Sequence, residues 1–323
     1  MKRKGRVLKI LITGGAGFIG SNLARYLLEQ GQTVRIFDNF ATGKRSNLAE
    51  IRDRIELIEG DLRDYAAVKT AVAGMDGISH QGALGSVPRS VADPRLSHDV
   101  NVNGTLNVLE AMRETGVKRV VFAASSSAYG RHQVSPKHEG LPPAPMSPYA
   151  ASKVACEAYM QGYASVFGIE AVCLRYFNVF GPRQDPNGAY AAVIPRFIAA
   201  LLKKETPAIY GDGEQSRDFC YIENACLANW LALQAPASSC DGAPMNIACG
   251  RRISLNEILA LLQKRLHTAI PAVYHAERMG DVRHSLADLS RAREKIGYEP
   301  RVFVEEGLAR TVDWHVSLKG REE

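Results

Sequence analysis

A short apolar run, Lys9–Thr13, breaks without a spacer into Thr13-Gly14-Gly15-Ala16-Gly17-Phe18-Ile19-Gly20, and few folds accommodate that junction. Gly14 permits a tight turn, Gly17 lets the backbone approach a bound group, and Gly20 lets a helix pack closely against the strand. Phe18–Glu29 then follows a helical pattern and Thr33–Asp38 reads as a second strand. A strand, a glycine turn and a helix N-terminus in that order present backbone N–H groups and a partial positive charge to an anion.

The alternation continues. Strands are predicted at Ile55–Asp61, Gly77–Gln81, Arg119–Ser125 and Ala171–Asn178, with helical patterns between them at Asn103–Glu114 and Pro148–Phe167. Continuous apolar strands separated by helices predict an α/β fold with a doubly wound parallel Rossmann sheet, covered on both faces. After Gly181, loops rich in Pro, Gly and Asp alternate with isolated helices such as Ser254–Leu266 and Val304–Val316. The expected division is a dinucleotide-binding domain over 1–180, with a returning segment near 220–250, and a smaller C-terminal α/β lobe over 181–323.

Composition narrows the classes. The 323 residues are 46% hydrophobic and 23% charged, enough for a sizeable core. A net charge of +6 fits an anionic small substrate, whereas the aromatic–basic interleaving of a nucleic-acid surface is missing. Six cysteines form no Cys-x-x-Cys pair and no zinc pattern, so no metal is expected. No apolar run approaches the ~20 residues that span a bilayer, and the N-terminal apolar stretch breaks into glycines rather than continuing as a signal peptide. A cytoplasmic protein without membrane or nucleic-acid partners is the expectation.

Asp38 ends the second strand, 24 positions after Gly14. A carboxylate there accepts from the adenosine ribose hydroxyls and repels a 2′-phosphate, which favours NAD over NADP, although Lys44 and Arg45 nearby could serve a phosphate.

Ser147-Pro148-Tyr149-Ala150-Ala151-Ser152-Lys153 places Tyr149 and Lys153 at i, i+4 on one helix face, after a Ser cap and an N1 proline. A phenol of pKa ~10 is a poor base at neutral pH. A neighbouring ammonium and a positive nicotinamide would both favour the phenolate. The second element is Ala124-Ser125-Ser126-Ser127-Ala128-Tyr129-Gly130, at a strand's carboxyl end, where ligands of open α/β sheets collect. The Ser125 hydroxyl can donate there to an oxygen that becomes a carbonyl.

The glycine motif, Ser125 with Tyr149 and Lys153, and Leu174-Arg175-Tyr176-Phe177-Asn178-Val179-Phe180-Gly181-Pro182 together resemble the extended short-chain dehydrogenases over nearly the whole chain. That resemblance implies a Rossmann domain binding NAD, a lobe binding a nucleoside diphosphate sugar, and a homodimer formed through two helices, here near 95–115 and 148–167. It implies Gly14, Gly17, Phe18, Ile19, Gly20, Asp38, Asn39, Asp61, Leu62, Gln81, Tyr149 and Lys153 at the cofactor. It implies Ser86, Ser125, Ser126, Tyr149, Asn178, Ala192, Val193, Tyr210, Arg217, Arg252, Arg278 and Ser285 at the substrate. Among these Asn178, Arg217 and Arg278 match positions that contact the diphosphate, with Arg252 a further candidate, and Tyr210 matches one whose ring lies against uracil.

Dehydratases and decarboxylases of the family carry an acid two places before the strand-end Tyr; here that place is Ser127, which argues for 4-epimerisation. The segments 83–90 and 183–190 resemble UDP-N-acetylglucosamine 4-epimerases in particular. Where strict UDP-glucose epimerases have a bulky Tyr at the sugar C2 substituent, Ser285 leaves room for an N-acetyl group. The expected reaction is therefore interconversion of UDP-GlcNAc and UDP-GalNAc, with UDP-glucose and UDP-galactose as a possible second pair. The alternatives are a UDP-glucuronate or UDP-glucose 4-epimerase, or, in another class, a sugar-nucleotide oxidoreductase that releases NADH. A non-catalytic NAD-binding regulator would be expected to lack Tyr149 or Lys153, and both are present.

Overall fold

The computed structural model describes residues 6–186, 191–277 and 283–319. The chain runs β1 (Lys9–Thr13), α1 (Phe18–Glu29), β2 (Thr33–Asp38), β3 (Ile55–Glu59), α2 (Tyr65–Val72), β4 (Gly77–His80), α3 (Val87–Ala92), α4 (Pro94–His98), α5 (Gly104–Thr115), β5 (Arg119–Ser125), α6 (Pro148–Phe167) and β6 (Glu170–Tyr176). It continues through β7 (Val179–Phe180), α7 (Val193–Leu202), β8 (Ala208–Tyr210), β9 (Ser216–Asp218), β10 (Cys220–Tyr221), α8 (Ile222–Gln234) and β11 (Asp241–Ile247). The last elements are β12 (Arg252–Ser254), α9 (Leu255–Arg265), β13 (Val273–His275), β14 (His284–Ser285), α10 (Ser290–Ile296) and α11 (Val304–Lys319).

Seven of these strands make one parallel sheet in the order β11-β6-β5-β4-β1-β2-β3, the doubly wound Rossmann arrangement. Alternation along each strand feeds two cores. Ile10 and Ile12 of β1 face one core with Val34, Ile36, Val121 and Leu174. Leu11 faces the other with Phe37, Ile78, Val120 and Phe122. With apolar side chains required on both faces, the strands read as continuous hydrophobic runs.

The order reverses between β1 and β4, and the carboxyl ends of those two strands flank the crevice where an open α/β sheet binds ligands. Strand β11 lies beside β6 at the sheet edge, so residues 241–247 complete a sheet begun by the first half of the chain. Helix α8 covers the same face as α1 and packs against it. Around the sheet's C-terminal edge, β9 pairs with β12 and β14, and β8 with β13.

Some strand and helix ends differ from the sequence expectation. β3 stops at Glu59, whose pairing with Asp38 is closed by the Gly60 N–H donating to the Asp38 carbonyl at 3.1 Å. The helix expected from Asn103 starts at Gly104, after a wide helical turn over Asp99–Asn103. No helix among the described residues is long and apolar enough to cross a membrane.

Candidate active site

The glycine turn is crowded by backbone. Gly14 has φ +66°, and a Cβ there would sit 2.6 Å from the Gly82 Cα. A Cβ on Gly20 would lie 2.3 Å from the Gly14 carbonyl oxygen, so α1 rests directly on the turn. Gly17 caps α1 with an extended backbone, and Phe18 and Ile19 open its first turn. An anion at this helix start meets backbone N–H groups with no side chain between. This cradle fits a pyrophosphate.

Asp38 lies against the glycine turn. Its carboxylate is buried and accepts from the Ala16 N–H and the Phe40 N–H, each at 2.8 Å. Burial pushes its carboxyl up from the ordinary value while these two donors hold it down. Lys44 and Arg45 have other partners: Lys44 pairs with Asp185 at 2.8 Å, and Arg45 pairs with Glu59 at 2.5 Å while lying over the Phe40 ring. Asn39 donates to Asp61 at 2.8 Å, and Arg63 holds the Asp61 carboxyl well below the usual range. Leu62 follows, buried under Gly82 and Gly104. Gln81 stands at the crevice by its backbone, but its side chain turns inward to Ser79, Asn229 and Tyr176.

Tyr149 and Lys153 occupy the first turns of α6, which opens with Ser147 accepting from the Ala150 N–H at 3.1 Å. The Tyr149 N–H is held by Ser90 Oγ at 3.0 Å, so α3 fixes where α6 begins. Ser125 accepts from both the N–H (3.2 Å) and the hydroxyl (2.8 Å) of Ser127. With its lone pairs engaged, the Ser125 proton is free to be donated, and the Tyr149 oxygen is hydrogen-bonded to it. Ser127, the position that lacks a carboxylate, thus orients the Ser125 hydroxyl.

The electrostatics correct one expectation. In the protein alone, burial pushes the Tyr149 phenol up, and the Ser125 hydrogen bond only partly offsets this. Burial also pulls the Lys153 ammonium down; its Nζ donates to the Ala123 carbonyl at 2.8 Å and lies over the Phe122 ring. The lysine charge is therefore shared with β5, and a bound nicotinamide would bring further charge to draw the phenol down.

A buried chain of hydrogen bonds behind α6 was not legible in the sequence. Gly82 N–H donates to Thr13 Oγ1, 2.6 Å from His80 Nδ1; His80 Nε2 lies 3.0 Å from Thr105 Oγ1, which donates to the Asn101 carbonyl at 2.6 Å. Since Thr105 spends its proton on Asn101, His80 carries its own on Nε2 and accepts from Thr13. Burial, with Lys153 adding, pulls this imidazole down to about 3, so it is neutral. Asn101 then donates to Ser152 Oγ at 3.0 Å, and Ser152 to the Tyr149 carbonyl at 2.8 Å. The glycine turn and the Tyr149 helix are joined by this path. A second buried link is the bidentate pair Arg175–Glu157, at 2.8 and 2.7 Å, between β6 and α6.

Of the residues expected at the substrate, Asn178, Ala192, Val193, Tyr210 and Arg217 line one cavity of about 280 Å³. The Arg217 guanidinium donates to the carbonyls of Ser216 and Arg283, each at 3.0 Å. Tyr210 packs against His275 in a tilted ring pair with centroids 5.2 Å apart. Ser285 is not in the cavity lining; it sits on β14 directly opposite Arg217. Arg252 is exposed on β12, opposite Asp218. Ser86 caps α3, accepting from the Arg89 N–H at 3.2 Å, and Ser126 starts the turn after β5. Arg278 lies outside the described residues.

The chain is similar to known proteins over nearly its whole length. The UDP-glucose 4-epimerase of Mycolicibacterium smegmatis is 37% identical over 316 residues, covering 95% of this chain and 98% of that one. A UDP-N-acetylglucosamine 4-epimerase from Methanobrevibacter ruminantium M1, solved with UDP-N-acetylmuramic acid, superposes with a TM-score of 0.91 at 39% identity, covering 97% of this chain and all of that one. The Thermus thermophilus UDP-glucose 4-epimerase, solved with NAD, gives 0.85 at 36% identity, covering 95% and 98%. The family model described as NAD dependent epimerase/dehydratase family matches residues 10–248. On these grounds the chain belongs to the NAD dependent epimerase/dehydratase family and is an enzyme with NAD as its cofactor.

Proposed function

We propose that the protein is a UDP-sugar 4-epimerase that interconverts UDP-GlcNAc and UDP-GalNAc and also accepts the UDP-glucose/UDP-galactose pair. The observation that carries this reading is the Tyr149–Ser125 hydroxyl pair at the strand crest, with Ser127 where elimination chemistry would need a carboxylate. Tyr149 takes the proton from the sugar 4-hydroxyl, and Ser125 donates to the same oxygen as it becomes a carbonyl. Bound NAD supplies the hydride acceptor and donor. Lys153 holds the helix face to β5 and adds positive charge near the phenol. The 4-keto sugar turns about its diphosphate linkage before reduction on the opposite face, and Tyr149 returns its proton.

The nucleotide occupies the cavity under Asn178 and Tyr210, with Arg217 toward the diphosphate and Ser86, Ser126, Ala192 and Val193 around the sugar and nucleotide. Arg278, outside the described residues, is a second candidate for the diphosphate, whereas Arg252 shares the face of Asp218 and not that of Arg217. Preference for the acetylated pair rests on the small side chain of Ser285 beside Arg217 and on the likeness to the Methanobrevibacter enzyme. Helices α5 and α6 form a homodimer contact in this reading, since α6 exposes Tyr159, Val166 and Phe167. The test is to incubate the purified protein with UDP-GlcNAc, UDP-glucose and UDP-glucuronate separately and resolve the C4 epimers. Conversion of UDP-GlcNAc without added coenzyme is expected; stoichiometric NADH release, or turnover of UDP-glucuronate alone, refutes the reading.

A further inference from the structure

Asp218 ends β9, one residue after Arg217, and is fully buried. Its Oδ1 accepts from the Cys249 N–H at 2.9 Å, and its Oδ2 from the Gly250 N–H at 3.0 Å and the Ala287 N–H at 3.3 Å. Its main-chain carbonyl accepts from Asn178 Nδ2 at 3.1 Å. These partners come from three separate stretches of chain. The turn at 249–250 leads into Arg252, which lies opposite Asp218 in the β12–β9 ladder. Ala287 is two residues beyond Ser285, which lies opposite Arg217 in the β9–β14 ladder. Asn178 follows β6 and lines the cavity together with Arg217.

A buried carboxylate is costly unless its oxygens are satisfied. Burial pushes this one up to about 6, and the N–H donors oppose that rise. The charged, acceptor-only form matches a ring of donors that no neutral side chain of this size can match. The donors to its carboxylate are backbone N–H groups, so its bonding is directed at backbone geometry.

We propose that Asp218 is the positioning residue of the substrate lobe, holding Asn178, Arg217 and Ser285 in one arrangement so that they meet the sugar nucleotide as a set. The inference rests on the UDP-sugar reading of this lobe. Asp218 itself touches no substrate. It works by fixing the segments that do, and the cofactor crest on the other side of the crevice does not depend on it.

The test uses full-length Asp218→Asn, which keeps the size but turns an NH2 toward backbone donors. Steady-state rates with UDP-glucose and UDP-GlcNAc are read beside the NAD content of the purified protein. The expected result is a KM raised at least ~10-fold for whichever sugar is turned over, about 1.4 kcal/mol of binding, with kcat within ~3-fold and NAD content unchanged. An unchanged KM, or a loss confined to kcat, overturns the proposal. If the variant does not fold, wild-type amide exchange decides. Addition of UDP should slow exchange at Cys249, Gly250 and Ala287 together, and protection of one segment alone, or of none, overturns it. Failure of the wild-type enzyme to turn over either sugar would sink the epimerase reading instead, and the exchange result would still stand as a separate measurement.

Discussion

Lys153, one helical turn after Tyr149 on α6, donates its ammonium to the carbonyl oxygen of Ala123 at 2.8 Å. The lysine thereby ties the helix carrying the phenol to the strand that carries Ser125. A charge used as a structural bond and as an electrostatic aid at once makes its loss costly in two ways.

Tyr149→Phe removes the acid–base oxygen and keeps the ring. We expect kcat to fall by ~10²–10⁴, with NAD content unchanged. The phenol works ionised, and burial raises its pKa, so kcat should fall as pH falls through the value in the complex. In Lys153→Gln the limb should move to higher pH. pH–rate profiles of wild type and Lys153→Gln check this, and an unmoved limb would count against the lysine's electrostatic role.

Ser285→Tyr places a large ring beside Arg217 on β14. Turnover of UDP-GlcNAc should drop far more than turnover of UDP-glucose. Equal losses on both sugars, measured by epimer separation, would remove the pocket argument.

Gly20→Ala would put a methyl 2.3 Å from the Gly14 carbonyl oxygen. Backbone must move to admit it, at a cost of about 1–3 kcal/mol, and the cradle moves with it. Both a lower Tm and a lower NAD content are expected. A variant that keeps full coenzyme would show that the turn is not the pyrophosphate seat.

His80 is neutral in the folded protein, its pKa pulled down to about 3, whereas in the unfolded chain it protonates near ~6.5. The stability gained by keeping it neutral is present above that unfolded value and is lost as pH falls toward 3. At pH ~5 the loss is about 2 kcal/mol. His80→Gln, less stable at neutral pH, should lose less Tm than wild type between pH ~7 and ~5; parallel losses in thermal scans would contradict the assignment.

Val166 is 72% exposed on α6. If the α5–α6 face is a dimer contact, Val166→Asp should convert a dimeric mass to a monomeric one by light scattering. A wild-type protein that runs as a monomer would exclude the contact.

The sequence by itself determined what is local. The glycine spacing at 14, 17 and 20, the i, i+4 placement of Tyr149 and Lys153 and the alternation of apolar strands with helices each depend on periodicity or backbone conformation within about twenty residues. Ser125 was legible for a related reason, because the end of a strand in a parallel sheet is a place that the pattern defines. Only the tertiary structure decided which distant groups meet. His80 joins Thr13 to Thr105, Asn101 reaches Ser152, Glu157 grips Arg175, and Asp218 gathers amides from residues 249, 250 and 287. No periodicity links such positions. Their pairing is enforced by the cost of leaving a buried polar group without a partner, a cost that exists only once the chain has closed around it.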